Sequence, residues 1–488
     1  MLFNSYVFIF LFLPIVWCLY FFLNKCRCYK LAQVALIVSS FVFYGYQEPK
    51  LCFLLGGTIV ANYFFHRVLI HMNTGKPQKL VLCAGILVNL SLIFYFKYFN
   101  FFLENVNRLV ASDFALKNIV LPLGISFFTF QQISMLVDSS KPDMEKYSFI
   151  EYALFVSYFP QLIAGPIVLH QELIPQFREE AKKRIDYGNL ISGVEYFVFG
   201  FAKKVLVADS FARICDVGYE NISTLNVYST VLTILAFTLQ IYFDFSGYCD
   251  MACGLGKLFN FELPINFDSP YKATSIAEFW KRWHKTLTRF LTTYLYIPLG
   301  GNRKGQFRTC LNILIVFSIS GLWHGAAWTF VLWGIMHGIA QVVYRLGKNH
   351  FDKLPKWLRW VGTFSFINIA WVFFRAEFFR QPFRLLKRLF IGGGGLCQEP
   401  LLTVMSDNSV ILAFCEGVLS ANGYMWIQQV SMLVWFGIWT IVCMAASSSH
   451  EIIARKIRTT PYFAVLGILF AWTCIWLLQI SKFIYFNF

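Results

Sequence analysis

Apolar runs recur along almost the whole chain of 488 residues, each near the ~20 residues that a helix needs to cross a bilayer. The first run lacks a basic segment and a small-residue cleavage site and is too long for a signal peptide, so we expect it to be a retained span. We therefore expect one all-α, polytopic integral membrane domain. Further candidate spans cover approximately residues 31–46, 51–66, 80–98, 119–137, 149–167, 190–207, 227–243, 309–323, 326–344, 358–374, 430–446 and 462–480.

The composition supports the same class of protein. Hydrophobic residues make up 57% of the chain and charged residues 14%, whereas about a quarter of the residues in soluble domains are charged. An ordinary soluble enzyme is thereby excluded. Many of the 13 cysteines lie inside apolar runs, where they act as small hydrophobic residues, so no disulfide framework is expected. Cys26 and Cys28 have no second pair of ligands elsewhere, so no metal site is expected.

The formal charge of +16 is best explained by membrane topology. Basic residues are concentrated in short connectors, as the positive-inside rule requires, and we expect no nucleic-acid partner. The first connectors favour an external N-terminus. Counting spans from there places the basic stretch 281–308 outside, against the rule, so either an additional half-span is present or one of the candidate spans is re-entrant. Candidate positions are the polar, glycine-rich stretches LPLGISFFTFQQ, FPQLIAGPI and FDFSGYCDMACGLG.

Two segments between the spans are amphipathic. Residues 278–294 place Trp280, Trp283 and Leu287 on one helical stripe and basic residues on the other, which predicts one helix at the membrane interface. The run RQPFRLLKRLF at 380–390 has a similar pattern and is expected to rest on anionic lipid. No internal repeat is visible, which weakly disfavours a secondary transporter.

Histidines are the strongest candidates for catalysis. His284 lies on the apolar side of the predicted 278–294 helix, and His324 lies in the break between two apolar runs. A polar group at membrane depth is a functional candidate by default, and a neutral imidazole can act as a general base. His337 follows thirteen residues later, which on one continuous helix would place it ~20 Å away on another face, so we do not expect it to share the reacting centre. The remaining histidines are expected in loops or in solvent: His66, His71, His170, His350 and His450.

The surroundings of His324 allow more than one interpretation. Its imidazole can be a base, or it can simply satisfy a nearby carbonyl. Gly321 and Gly325 allow a kink or a close helix approach, and Trp323 and Trp328 can wall an apolar tunnel. Ser320, one helical turn earlier, is a weak candidate nucleophile.

Two further groups of residues have both functional and structural interpretations. Asp244 and Asp250 frame FDFSGYCD and can orient an imidazole, although a structural role is favoured. The glycine-rich loop from Tyr296 to Arg308 carries Arg303 and Lys304 and can hold phosphates, but topology explains it nearly as well. The sequence has no serine-hydrolase elbow, no HExxH and no dinucleotide fingerprint.

Seven motifs follow one another in order from about residue 120 to the end: LPLGISFFTFQQ, YFPQLIAGPI, YFDFSGYCDMACGLG, FWKRWHKTLTRFLTTYLYIPLGGNRKG, GLWHGAAWTFVLWGIMHG, WVFFRAE and FIYFNF. This series resembles the membrane-bound O-acyltransferase (MBOAT) family, in the bacterial branch of the alginate O-acetyltransferase membrane subunit. The resemblance implies a ring of tilted transmembrane helices, with re-entrant and short interfacial helices, around a central channel.

The resemblance also implies roles for individual residues. His324, in GLWHGAAW, corresponds to the family's key histidine, and His284, in FWKRWH, corresponds to a second polar position. With no bound cofactor, acetyl-CoA is the expected acyl donor, and Arg303 and Lys304 can face its phosphates. The further candidates for substrate or donor binding are Trp323, Trp280, Asp244 and Ser320.

The function implied is transfer of an acetyl group from a cytoplasmic thioester to hydroxyls of an exported polysaccharide such as alginate, directly or through periplasmic or extracellular partner proteins. The location implied is the bacterial inner membrane. Peptidoglycan, cellulose or D-alanylated teichoic acid are alternative acceptors, and a polysaccharide or lipid transporter is the alternative from another class. We expect a single domain over 1–488, with spans at 1–118, a catalytic core at about 120–378 and spans at 426–488. Residues 392–425 match no motif.

Overall fold

The computed structural model of the chain describes residues 1–142, 144–398, 401, 404, 424–477 and 483–484. Their regular secondary structure is helical, and no strand occurs among them. Part of the 392–425 region and most of the FIYFNF tail lie outside the described residues. The helices are α1 Leu13–Lys25, α2 Tyr29–Gly45, α3 Leu51–His71, α4 Lys76–Ile93, α5 Phe99–Val110, α6 Ile125–Ser139, α7 Phe149–Ser157, α8 Phe159–Leu162, α9 His170–Arg178, α10 Tyr187–Ala202, α11 Asp209–Glu220, α12 Val227–Leu258, α13 Ile276–Arg282, α14 Lys285–Leu291, α15 Gly305–His324, α16 Trp328–Phe351, α17 Lys356–Arg375, α18 Gln381–Ile391, α19 Tyr424–Ala445, α20 Ser449–Ala454 and α21 Thr460–Trp476.

Seven helical stretches of the described chain are long and apolar enough to cross a membrane. They are Val7–Lys25, Leu51–His71, Lys76–Val110, Val227–Leu258, Gly305–His324, Lys356–Arg375 and Gln428–Ala445. Two of them include a short π-helical turn: Val7–Phe12 precedes α1, and Phe94–Tyr98 joins α4 to α5. The predicted fold class, an all-α polytopic membrane protein, is confirmed.

Of the two explanations for the charge pattern, the structure shows a re-entrant segment, formed by α7–α9. Arg178, at the end of α9, pairs with Glu145 and Glu151 at the start of this segment, so the chain returns to the side from which it entered. Gln33, near the start of α2, donates to the carbonyl of Phe177 at 3.3 Å, which places this side with the basic first connector. The predicted span 149–167 is therefore wrong as a crossing, whereas re-entrance at FPQLIAGPI is right.

This re-entrance removes the conflict with the positive-inside rule. Arg289 of α14 bonds to Glu172 of α9 at 2.8 Å and to the carbonyl of Ile167 at 3.1 Å. The basic stretch 281–308 therefore lies on the same side as the first connector, which is the cytoplasmic side by the positive-inside rule. α15 runs from there towards the external side and ends at His324.

The stretch FDFSGYCDMACGLG is not a break, contrary to one of our expectations, because α12 runs through it without interruption. Its glycines serve close packing instead. A Cβ on Gly247 would lie 2.7 Å from the carbonyl oxygen of Gly200 in α10, and a Cβ on Gly254 would lie 2.7 Å from that of Gly193. Glycine here allows two helix backbones to touch, as small residues do in membrane helix pairs.

The predicted interfacial helix 278–294 is also wrong, because the segment is broken and its apolar side is in the protein interior. α13 ends at Arg282 and α14 begins at Lys285, and His284 between them has a left-handed backbone with φ of 45°. Trp283 and Leu287 are each only 1% exposed. The apolar stripe that suggested a membrane surface therefore packs against protein.

Candidate active site

His324 is the last residue of α15, where its side chain is 3% exposed. Its Nδ1 lies 2.6 Å from the carbonyl oxygen of Ser320, one turn earlier on the same helix. A carbonyl can only accept, so Nδ1 carries the proton and Nε2 has the lone pair of the neutral ring. The imidazole is thus held by its own helix in the tautomer that suits a base acting through Nε2.

His284 is fully buried and is held by a residue distant in sequence, Asn266. Its Nδ1 lies 3.2 Å from Oδ1 of Asn266, which also accepts from the backbone N–H and the hydroxyl of Thr286 at 3.2 and 3.0 Å. The amide nitrogen of Asn266 donates to Sγ of Cys249 at 3.3 Å, which fixes the orientation of the amide. Nδ1 of His284 is therefore the donor, and its Nε2 also has the lone pair.

The two imidazoles form one centre with an aromatic wall. Their ring centroids lie 6.4 Å apart, and the ring of Trp323 lies 4.8 Å from that of His324 and 6.2 Å from that of His284. Phe130 stacks on Trp323 at 5.2 Å, and Phe374 lies 5.5 Å from His324. The structure thus brings together both histidines and Trp323, which excludes bulk water from the pair.

His337 is much nearer to this centre than expected. The expectation assumed one continuous helix, but the chain turns back after His324, and α15 and α16 cross so closely that a Cβ on Gly321 would lie 3.0 Å from the Cα of Gly334. The ring of Trp333 lies 4.9 Å from His324 and 4.8 Å from His337, so the two imidazoles are within about 10 Å of each other. Trp280 donates to Nδ1 of His337 at 3.2 Å. His337 therefore supports the wall around the centre.

Lys97 is a residue of the site that sequence reasoning missed. Its Nζ donates to the carbonyl of Trp323 at 2.6 Å, to the carbonyl of His324 at 3.3 Å and to Oγ of Ser126 at 3.4 Å. The last carbonyls of a helix have no intrahelical partners, and a cation at that end is favourable. Lys97 therefore caps α15 at the residue that carries the imidazole. A lysine inside an apolar run, FYFKYF, was the available signal.

Two contiguous cavities lie on the cytoplasmic side of the centre. The outer one, of about 570 Å³, is lined by Lys281, Lys285 and Arg289, together with Thr286, the partner of Asn266. The inner one, of about 300 Å³, is largely apolar and reaches Ser320. Trp280, Lys281, Thr288 and Thr292 line both cavities. A cationic entrance therefore leads into an apolar slot that ends one helical turn from His324.

A third cavity, of about 20 Å³, touches His324 from the side of the loop before α6. Its lining includes Lys97, Gly124, Ser126 and Trp323. A volume of about 10–15 Å³ already holds one water, so this space fits a single hydroxyl-sized group. The centre thus separates a large cytoplasmic entrance from a small external one.

Arg303 and Lys304 are not brought to the histidine pair. They are exposed and lie at the start of α15, about 30 Å along the helix from His324. Among the cations of 281–308, it is Lys281, Lys285 and Arg289 that line the cavity. The role of Arg303 and Lys304 as donor-binding residues stays a prediction.

Asp244 and Ser320 are both buried, but in different surroundings. The carboxylate of Asp244 pairs with Lys204 at 2.6 Å and accepts from the backbone N–H of Ile484 at 2.8 Å, which favours the structural interpretation. Ser320 offers its carbonyl to His324 and also lines the inner cavity.

Two histidines assigned to solvent or loops are in fact buried. His66 bonds to Oγ of Ser139 at 2.7 Å, and His170 bonds to Asp138 at 3.0 Å and to Tyr147 at 3.1 Å. His71, His350 and His450 are exposed as expected. Within the described residues, no group of three His, Cys, Asp or Glu side chains is placed to hold a metal ion.

Comparisons with known proteins assign the chain to a family. Residues 78–379 match the model of MBOAT, the membrane-bound O-acyltransferase family. The chain is 40% identical to the peptidoglycan O-acetyltransferase of Helicobacter pylori over 508 aligned residues, which cover 92% of this chain and 96% of that protein. It is 37% identical to the probable alginate O-acetylase AlgI of Pseudomonas aeruginosa, over 85% and 80% of the two chains. A teichoic acid D-alanyltransferase of Bacillus subtilis is 23% identical, over 54% and 71%. The chain belongs to the membrane-bound O-acyltransferase family and is a multi-pass membrane acyltransferase.

Proposed function

We propose that this protein moves an acetyl group from acetyl-CoA, on the cytoplasmic side of the bacterial inner membrane, to a hydroxyl on the external side. The observation that carries the proposal is the histidine pair, in which both rings carry their proton on Nδ1. The pair lies between a cation-lined cytoplasmic cavity and a hydroxyl-sized external one.

The donor enters from the cytoplasm. Lys281 and Lys285 line the outer cavity and have no ion pair with a carboxylate in the described part of the chain, so they are available to phosphates. Arg289 is already paired with Glu172 and contributes less. The slender pantetheine arm of the donor fits the apolar inner cavity, which directs the thioester towards Ser320 and the imidazoles. We propose these lysines as phosphate ligands in preference to Arg303 and Lys304.

The transfer step uses His324 as the general base. Its Nε2 takes the proton of the acceptor hydroxyl while the oxygen attacks the thioester carbonyl, forming the C–O bond as the C–S bond breaks. The proton then passes from the imidazolium to the leaving thiolate. His284 orients or polarises the reacting groups, and Asn266 holds it in place. Both substrates are positioned before the reaction, which accounts for much of the rate enhancement in such transfers.

For the acceptor, we propose peptidoglycan. The motifs of the sequence favour alginate, but the alignment with the Helicobacter protein named for peptidoglycan covers nearly the whole of both chains. Alginate is the second candidate, because the Pseudomonas protein named for it is 37% identical over 85% of this chain. In either case a periplasmic partner protein can receive the acetyl group first, since the external cavity admits only a hydroxyl-sized group.

The test is transfer from acetyl-CoA labelled in the acetyl group, in inverted membrane vesicles that contain equal amounts of wild type, His324→Ala or His350→Ala protein. His350 is exposed and distant from the site, so its variant is the matched control. Loss of transfer in His324→Ala alone supports the proposal, and wild-type transfer in that variant refutes it. Base-labile acetyl groups on purified peptidoglycan, compared with those on secreted acidic polysaccharide, decide the acceptor.

A further inference from the structure

A large cationic cavity lies far from the donor entrance, at the external ends of α5 and α11 and beside the start of α16. It has a volume of about 1030 Å³, and five cations line it, from α5 and from the start and body of α18. Glu220 is the one acidic residue among its described lining residues. The cations are Arg108, Arg380, Arg384, Lys387 and Arg388.

The cavity is on the external side. α15 begins at the cytoplasmic basic stretch and ends at His324, so Trp328, which opens α16 and lines the cavity, is external. Glu220, at the end of α11, is reached by the outward path of α10 and its π-helical continuation. The positive-inside rule explains cations on the cytoplasmic side but not a cluster on this one. These residues therefore need another explanation.

The surface beside the cations is apolar and exposed. Phe378, Phe383 and Phe390 are 69%, 48% and 86% exposed, whereas Leu385 on the inner face of α18 is fully buried. α18 is held across the external end of α12 by a bond of 2.6 Å from Arg388 to the carbonyl of Leu225. A helix with apolar side chains turned outwards and cations along one edge is typical of the membrane interface.

The cations have little competition for a ligand. Arg108, Arg380, Arg384 and Lys387 make no ion pair with a carboxylate in the described part of the chain. Arginine side chains bind phosphate oxygens in a bidentate geometry that suits a phosphodiester. We propose that this cavity binds the phosphate headgroup of an anionic phospholipid of the external leaflet, with the acyl chains lying along Phe378, Phe383 and Phe390.

An amphiphile explains the site better than a soluble acidic glycan. The glycan would account for the cations but would leave the adjacent phenylalanines without an apolar partner. The lipid satisfies both, and it would tie together the external ends of α5, α11 and α18, next to the turn that carries His324. This proposal does not depend on the identity of the acyl donor or acceptor.

The experiment measures lipid retention by the full chain purified in neutral detergent. Palmitoyl-oleoyl phosphatidylglycerol or the zwitterionic phosphatidylcholine is added, and bound lipid is counted by native mass spectrometry and by the shift of the thermal unfolding midpoint. Each interfacial cation contributes about 1 kcal/mol to binding anionic lipid, so Arg384→Gln/Lys387→Gln should bind phosphatidylglycerol roughly thirtyfold more weakly. The control Lys353→Gln/Lys356→Gln makes the same charge change at exposed cytoplasmic positions and should bind as wild type does.

The expected result is that wild type retains phosphatidylglycerol in preference to phosphatidylcholine, and that this preference falls in the α18 variant but not in the Lys353→Gln/Lys356→Gln control. Arg108→Gln, on a different helix, must show the same direction of change, which guards against a folding defect of α18. Equal retention of the two lipids by wild type, or unchanged retention in both variants, overturns the proposal. Displacement of phosphatidylglycerol by an oligouronate also overturns it and assigns the cavity to an acidic glycan.

Discussion

The two central histidines are held in opposite ways. His324 is held locally, since its Nδ1 bonds to a carbonyl four residues earlier on the same helix. His284 depends on contacts from a distance, since Asn266 lies eighteen residues earlier and the backbone of His284 itself is left-handed. A side chain held by its own helix keeps its position when neighbouring helices shift slightly, whereas a side chain held by a residue distant in sequence moves with them. The base is thus rigidly placed, and its partner depends on how α12, α13 and the 259–275 loop pack together.

The largest effect is expected from removing the locally held base. His324→Ala removes the group that takes the hydroxyl proton, so transfer should fall by about 10³-fold or more, at the upper part of the range for general bases. The measurement is the initial rate of acetyl transfer at saturating donor. Size-exclusion elution in detergent must match wild type, and a loss smaller than tenfold would remove His324 from the role of base.

The second effect tests the distantly held partner without disturbing its backbone. Asparagine tolerates the left-handed region better than most residues, so His284→Asn keeps φ near 45° while it removes the imidazole. We expect a loss of about 10²-fold in kcat with the unfolding midpoint nearly unchanged. His284→Ala should lose both activity and stability, and equal midpoints for the two variants would show that the backbone conformation is not strained.

The same contrast between local and long-range contacts explains which features of the site could be predicted from the sequence. The span at α15 and the break after His324 follow from local apolarity and are confirmed, and of the two alternatives at Gly321, a kink or a close helix approach, the structure shows the close approach. The link from Asn266 to His284 was not predictable, because an asparagine in a loop carries no local signal for its partner. The amphipathic stripe of 278–294 misled for a related reason, because its pattern is the same whether the apolar side faces lipid or protein.

The re-entrant segment shows how much of the membrane topology the distribution of basic residues can predict. The positive-inside rule shows that a simple count of the apolar runs cannot be right, and three polar, glycine-rich stretches are candidates for the exception. Glycines could not decide among them, since glycine both breaks helices and lets them touch, as Gly247 and Gly254 do in α12. The ion pairs of Arg178 with Glu145 and Glu151 identify α7–α9 as the re-entrant segment. Partial burial raises the pKa of Glu151, but hydrogen bonds from Arg178 and Ser148 outweigh it and hold the pKa below its usual range.

The third prediction concerns Asn266, which distinguishes the two histidines directly. Asn266→Ala leaves the Nδ1–H of His284 and the Thr286 hydroxyl without their acceptor, at a cost of about 1–3 kcal/mol. Transfer should fall roughly 10- to 100-fold, mainly in kcat. Asn221→Ala, at the end of α11, is the control and should keep wild-type kcat. A loss confined to KM would assign Asn266 to donor binding instead.

The fourth prediction concerns Lys97, which lies outside α15 and bonds to the carbonyls at the end of that helix. Lys97→Met removes the cation that caps the carbonyls of Trp323 and His324, and should lower kcat about tenfold. Lys97→Arg keeps the charge and the donors and should recover most of the rate. If methionine and arginine reduce the rate equally, the size of the side chain matters rather than its charge, and the capping role is excluded.

The smallest effect is expected at Ser320, and it tests how local the hold on His324 is. The imidazole bonds to the backbone carbonyl of this residue, not to its hydroxyl, so Ser320→Ala keeps the bond of 2.6 Å intact. The hydroxyl is a small part of a largely apolar cavity wall, and we expect a rate within threefold of wild type. A covalent relay through Ser320 would give a loss as large as that of His324→Ala, together with a labelled acetyl group on the protein that disappears in the variant. Measuring the rate and the protein-bound label in the same vesicles therefore separates direct transfer from transfer through this serine.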